Sequence, residues 1–114
     1  TCIRDYIHVS DLAEAHALAL DYLAEGGASV ALNLGTGQGH SVMEVLAAVE
    51  AITGGAPDRL YGPRRPGDPP ALVADPTRAA QVLRWKAQRS LKNVVETAWR
   101  WMQSSSRVLA TAQR

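Results

Sequence analysis

The chain has 114 residues, of which 46% are hydrophobic and 20% charged, with a net charge of +1. That is the size and make-up of one folded domain with a single modest core. So slight a net charge excludes an overall field for nucleic acid or an anionic membrane, and any anion must be recognised locally. A single cysteine, Cys2, excludes an internal disulfide framework and fits a reducing compartment such as the cytoplasm.

No apolar run is long enough to span a bilayer, and no basic-then-apolar leader opens the chain. The first residues, "TCIRDYIHV", lack an initiating methionine and run straight into β-like sequence, as in a chain entered in mid-protein. "IRDYIHV" is β-branched and aromatic and predicts a strand. Ser10 is placed to cap a helix over "DLAEAHALALDYLAEGG". In it Leu12, Ala15, Ala19, Leu20 and Leu23 share a face, Asp11 and Glu14 lie in the first turn, and Gly26-Gly27 stops the helix.

"SVALNLG" predicts a compact apolar strand ending in "GTGQGHS". Ser41 and Glu44 have the spacing of a capping box, so a second helix is expected over Val42–Ile52, closed by Thr53-Gly54-Gly55. "DRLYG" predicts a further short strand. Asp75-Pro76 predicts the start of a third helix ending near Leu83, and Ser90 caps a fourth, "LKNVVETAWRWMQ", with Leu91, Val94, Val95, Ala98 and Met102 on one side. From Ser104 the pattern dissolves into an expected frayed, disordered tail, so residues 1–103 form the expected domain and 104–114 the tail. The fold class is α/β, with helices outweighing a sheet of at most three short strands. So small a sheet is better supported resting on something larger.

"LGTGQGHS" follows an expected strand and precedes a helix, as a dinucleotide-binding loop does. Gly35 and Gly37 fit the first two glycines of that fingerprint, but the sixth position is His40 and no acidic residue follows at the required distance. A tight strand-to-helix turn is the better account. His8, His16 and His40 have no metal-ligand spacing and read as packing or surface residues. Trp85, Trp99 and Trp101 read as core or interface bulk. No nucleophile elbow is present, and no tyrosine has a lysine four residues on: Tyr6 is followed there by Ser10, Tyr22 by Gly26 and Tyr61 by Arg65.

The arginines remain. Arg4 lies beside Asp5 in the first expected strand. Arg64, Arg65 and Asp68 lie in "YGPRRPGDPPA", stiffened by Pro63, Pro66, Pro69 and Pro70. Two guanidinium groups from different segments can clamp a diphosphate, a nearby aspartate can accept from a sugar's hydroxyls, and the prolines lower the entropy lost on ordering. The same residues can equally form a solvated basic loop, with an Arg65–Asp68 surface pair contributing about 0.2–1 kcal/mol.

Four blocks, "RDYIHVSDLAEAHALAL", "LNLGTGQGHSVMEV", "GPRRPGDPPALVAD" and "LRWKAQRSLKNVVETAWRW", occur in an order and spacing that resembles the C-terminal part of the UDP-glucose 4-epimerase family. These are extended short-chain dehydrogenase/reductases, and the likeness runs from Thr1 to about Met102. The resemblance implies that Arg4 and Arg65 contact the diphosphate of a UDP-sugar and that Asp68 bonds its ribose. It also implies that Leu72, the fourth residue after that aspartate, lies against the sugar. The implied site is Arg4, Arg65, Gly67, Asp68 and Leu72, without a catalytic or metal-binding residue.

Relatives carry tyrosine or a small residue where Leu72 stands, so the sugar stays open among UDP-glucose, UDP-N-acetylglucosamine and UDP-pentose. They usually carry glycine where Arg84 stands. The NAD loop and the Tyr-x-x-x-Lys base belong to an N-terminal half of the family that these residues do not include. By resemblance, the parent oxidises the sugar at C4 with bound NAD and re-reduces the rotated 4-keto intermediate from the other face. The chain alone is expected to hold UDP without turnover, and the resemblance admits a homodimeric parent. A non-catalytic nucleotide-binding or interaction module is the rival reading. The expected partner is a UDP-sugar, with neither nucleic acid nor membrane.

Overall fold

The stretch "IRDYIHV" changes structure in its middle. In the computed structural model, which describes residues 1–112 and side chains as far as residue 104, only β1 (Ile3–Arg4) forms ladder hydrogen bonds. Helix α1 (Val9–Ala24) begins earlier than Ser10 allows, because His8 is its N-cap. The His8 Nδ1 accepts the Ser10 amide at 3.0 Å, which puts the ring proton on Nε2. Nε2 then donates to Thr97 Oγ1 at 2.8 Å, and that hydroxyl donates to Asn93 O. One buried imidazole thus caps α1 and ties it to the last helix.

At the other end, the Gly26 amide donates to Leu23 O and the Gly27 amide to Tyr22 O, both at 3.0 Å. This is a Schellman closure with Gly26 left-handed at φ +87°. Gly27 is needed for a different reason, since a Cβ there would stand 2.4 Å from the Tyr22 ring.

The segment "SVALNLG" is extended but has no ladder partner among the described residues, so the expected strand is not formed. Its alternation still operates: Leu32 and Leu34 pack on the core while Ala31 and Asn33 face outward. Extended backbone becomes a strand only when a neighbour supplies the hydrogen bonds. "DRLYG" is likewise irregular, with Leu60 fully exposed.

Strand β2 (His40–Ser41) leads into α2 (Val42–Thr53) through a complete capping box. The Glu44 amide donates to Ser41 Oγ at 3.2 Å, and the Ser41 amide donates to Glu44 Oε2 at 2.7 Å. Gly54, at φ +77°, closes α2. Strand β3 (Ala71–Leu72) was not foreseen, since prolines flank it and two residues carry no periodicity. The sheet order is β2-β1-β3. Strand β1 runs antiparallel to β2, pairing Arg4 with His40, and parallel to β3, pairing Arg4 with Leu72.

Helix α3 (Thr77–Leu83) follows, with Asp75 Oδ1 accepting from the Thr77 amide at 3.0 Å. Helix α4 (Leu91–Ala112) starts at Ser90, whose Oγ accepts the Asn93 amide. Its backbone stays helical past Ser104, where the sequence suggests fraying, because serine lowers helix propensity by well under ~1 kcal/mol per residue and does not break a helix. The last two residues of the expected tail lie outside the described part.

The core is small. Ala15, Ala79, Leu83 and Trp85 form its buried centre where α1 meets α3, while α2 packs on α4. Leu20 and Leu23, expected on the buried face of α1, are exposed, and Tyr22 packs there instead. Trp85 is core, whereas Trp101 is largely exposed. The radius of gyration, 17.8 Å, exceeds the roughly 13 Å of a compact domain of this length.

What holds the two halves of this core together is Asp11, which has no exposed surface. Its carboxylate accepts the Arg89 amide at 3.1 Å and the Arg89 guanidinium, and its carbonyl accepts Trp85 Nε1 at 3.0 Å. Burial pushes the Asp11 carboxyl up, but the hydrogen bonds from the Arg89 and Gln88 backbone and the Arg89 side chain outweigh it and hold it below its ordinary value of 3.8. Arg89 also donates to Glu14 Oε1 at 3.1 Å.

Asp11→Ala removes the carboxylate from several buried donors and should lower stability by about 3 kcal/mol, read from urea unfolding. A carboxyl held low when folded stabilises fully above its unfolded value, and that contribution fades as pH falls through the lower folded value. The gap between wild type and Asp11→Asn should therefore shrink below about pH 3.8; a constant gap would contradict the charge argument. Arg84 caps α3 in the left-handed region at φ 53°, ψ 30°, where a Cβ is strained. Arg84→Gly should raise stability by about 1 kcal/mol, shifting the urea midpoint without changing the slope.

Candidate functional site

Neighbouring residues of an extended strand point to opposite sides, and Arg4 and Asp5 divide the work that way. Asp5 faces the "GTG" turn. Its carboxylate accepts the Thr36 amide at 2.9 Å, the Thr36 hydroxyl at 2.7 Å and the Gly37 amide at 3.0 Å. Partial burial pushes the Asp5 carboxyl up, but the bonds from Thr36, Gly37 and the Ala74 backbone hold it below its usual range. Gly35 is required by the close approach, since a Cβ there would lie 2.5 Å from Ala74 Cβ and 2.6 Å from Asp5 Oδ2. The amides of Thr36 and Gly37 are thus occupied by the chain's own carboxylate.

Arg4 faces the other way, toward the proline-rich loop. That loop ends in a turn in which the Asp68 amide donates to Arg65 O at 3.3 Å. Pro66 occupies the second position and Gly67, at φ +80°, the third, which is the residue pattern of a type II turn. The Ile3 amide donates to Pro70 O at 2.9 Å and starts the parallel pairing of β1 with β3. The turn is therefore fixed to the strand that carries Arg4. The prolines restrict the backbone, and the glycine supplies the one conformation that other residues avoid.

Arg4, Arg65, Gly67 and Asp68 line a single cleft together with Cys2 and Pro66. Arg4 Nη1 donates to Ile3 O at 2.7 Å and Pro69 O at 3.0 Å, and Nη2 pairs with Asp68 Oδ1. The surface pair considered in the sequence, Arg65 with Asp68, is not formed, because Asp68 is taken by Arg4. Arg65 lies at the other end of the turn and makes no ion pair among the described residues, and the same is true of Arg64.

Leu72 stands beside Arg4 in the β1–β3 register and is 60% exposed, but it does not line this cleft. Cys2, two residues before Arg4, lies in this cleft although nothing in its sequence context marks it as a site residue. The period-two rule for extended chain is the signal that could have placed it on Arg4's side. No spacing signal could have found the Arg4–Asp68 pair.

His40 stands 3.8 Å from Glu44 one helical turn on, and His16 Nδ1 donates to Leu12 O within its own helix. Among the described residues no three His, Cys, Asp or Glu side chains converge as a metal site would require, and no helix is long and apolar enough to cross a membrane.

No family model matches the chain. It is 54% identical over 101 residues to a UDP-glucose 4-epimerase of Rhizobium meliloti, a match that takes in 89% of this chain and 31% of that protein. It is 48% identical over 106 residues to the UDP-glucose 4-epimerase of Rhizobium leguminosarum bv. trifolii, covering 93% of this chain and 32% of the relative. The fold superposes on a UDP-glucose 4-epimerase from Stenotrophomonas maltophila, crystallised with NAD and formylated UDP-arabinopyranose. That match has a TM-score of 0.88 at 45% identity and covers 95% of this chain and 32% of that one. A UDP-Glc/GlcNAc 4-epimerase from Campylobacter jejuni matches with a TM-score of 0.79 at 38% identity, over 91% of this chain and 32% of its own. The chain spans about a third of the length of these relatives, and over nearly all of its own length it is homologous, in sequence and in fold, to the UDP-glucose 4-epimerases.

Proposed function

We propose that these residues are the C-terminal, UDP-sugar-binding part of an NAD-dependent UDP-glucose 4-epimerase, an isomerase that works in the cytoplasm. The observation that carries this reading is the convergence of Arg4 with Arg65, Gly67 and Asp68 on one cleft. Segments more than sixty residues apart are joined there by a ladder and an ion pair. Arg65, exposed and without a charged partner among the described residues, is the diphosphate ligand. Asp68 accepts from the ribose hydroxyls, and Gly67 gives the turn its shape. Arg4 completes the grip from β1, and Leu72 borders the sugar. NAD is held by protein outside these residues, since Asp5 already fills the amides of the "GTG" loop.

The sugar is the finer question. Two structural neighbours are described with UDP-GlcNAc-type and UDP-pentose-type ligands or activities, so epimerases of those sugars are the second reading. A leucine beside Arg4 admits both. Leu72→Tyr should lower activity on UDP-N-acetylglucosamine relative to UDP-glucose, and an unchanged ratio of kcat/KM would remove Leu72 from the sugar site.

The 114 residues alone should show no epimerase activity, and measurable interconversion of UDP-glucose and UDP-galactose by the purified chain would refute the assignment. In the complete enzyme, Arg65→Ala should weaken UDP binding by about 1.5–3 kcal/mol, the usual loss for hydrogen bonds to a charged group. An unchanged Kd by calorimetry would remove Arg65 from the diphosphate site.

A further inference from the structure

The two arginines of the cleft differ in one respect: Arg4 is already engaged and Arg65 is not. One arm of the Arg4 guanidinium donates to the carbonyls of Ile3 and Pro69, one on the strand and one on the loop. The other arm donates to Asp68 Oδ1, 64 residues away in sequence. Asp68 itself lines the cleft beside Arg4 and Arg65. The Asp68 side chain is 38% exposed at the end of a turn, where an unsupported carboxylate would sample several rotamers.

We infer that Arg4 is a positioning residue for Asp68, fixing the carboxylate that meets the ribose so that ribose recognition depends on Arg4 as well as on Asp68. The inference rests on the nucleotide-sugar reading above and adds a division of labour to it. Arg65, with Arg4 completing the grip, supplies affinity for the diphosphate, and the pairing of Arg4 with Asp68 supplies selectivity for the ribose hydroxyls. The guanidinium is suited to this because its planar fork reaches a carboxylate and two carbonyls at once. A lysine ammonium carries the same charge from a single nitrogen and cannot span strand, loop and side chain together.

The test compares Kd values of UDP, 2′-deoxy-UDP and 3′-deoxy-UDP in the complete enzyme. Wild type should prefer UDP over at least one deoxy analogue by about tenfold, the scale of one hydrogen bond to a charged group. Asp68→Asn should bring that preference close to one. Arg4→Lys and Arg4→Ala should do the same although both keep Asp68, and Arg4→Lys also keeps the positive charge. Arg65→Ala should weaken all three ligands alike and keep the tenfold preference.

Arg4 variants that retain the full preference would overturn the inference and leave the nucleotide reading standing. A wild type that fails to bind UDP would overturn that reading and the inference with it. The ratio of Kd values is independent of overall affinity, so a general loosening of the cleft does not imitate the expected result.

Discussion

Asp11 is the constraint on which the rest of the chain hangs. A carboxylate without solvent contact must find donors inside the protein or remain costly to bury. It finds them in the backbone and side chain of Arg89, while its own carbonyl receives the Trp85 indole. These donors come from the link between α3 and α4, so satisfying one side chain fixes the start of α1 against the second half of the chain. The bond from His8 to Thr97 holds the same helix start against α4. Because α1 continues directly from the strand that carries Arg4, the position of Arg4 is set by the same contacts.

Aspartates here each collect the donors nearest to them, and the division explains what the site can use. Asp5 takes the amides of the "GTG" turn, Asp75 takes the Thr77 amide at the start of α3, and Asp11 closes the core. Among these aspartates only Asp68, on an exposed turn and held by Arg4, lines the cleft. A strand's alternation puts Arg4 on the site side and Asp5 on the scaffold side, although the two are adjacent in sequence.

The apolar surface fits a chain spanning a third of its relatives. Val9, Leu20, Leu23 and Trp101 are more than half exposed, and the extended segment before Gly35 has no ladder partner among the described residues. Large exposed apolar surface marks places where protein packs on protein. On the proposed reading, it meets the remainder of the epimerase.

Much of this was legible in the residues themselves. The capping box of Ser41 and Glu44, the Gly26-Gly27 stop and the Ser90 cap all depend on groups within a few residues of one another. Local chemistry of that range is written in sequence. The arginines and Asp68 could be singled out because guanidinium groups, a carboxylate and rigid loop residues stood together, and resemblance assigned them to a UDP-sugar.

Tertiary structure decided what depends on distant partners. It made His8 rather than Ser10 the cap, since its ring also reaches Thr97. It withheld strand status from "SVALNLG", which is apolar and alternating but unpaired, and granted it to Ala71–Leu72, which β1 draws into its ladder. It gave Asp68 to Arg4 instead of to Arg65, three residues away. Local propensity decides how a segment is shaped, whereas hydrogen-bond ladders and ion pairs are decided by which groups the fold brings within reach.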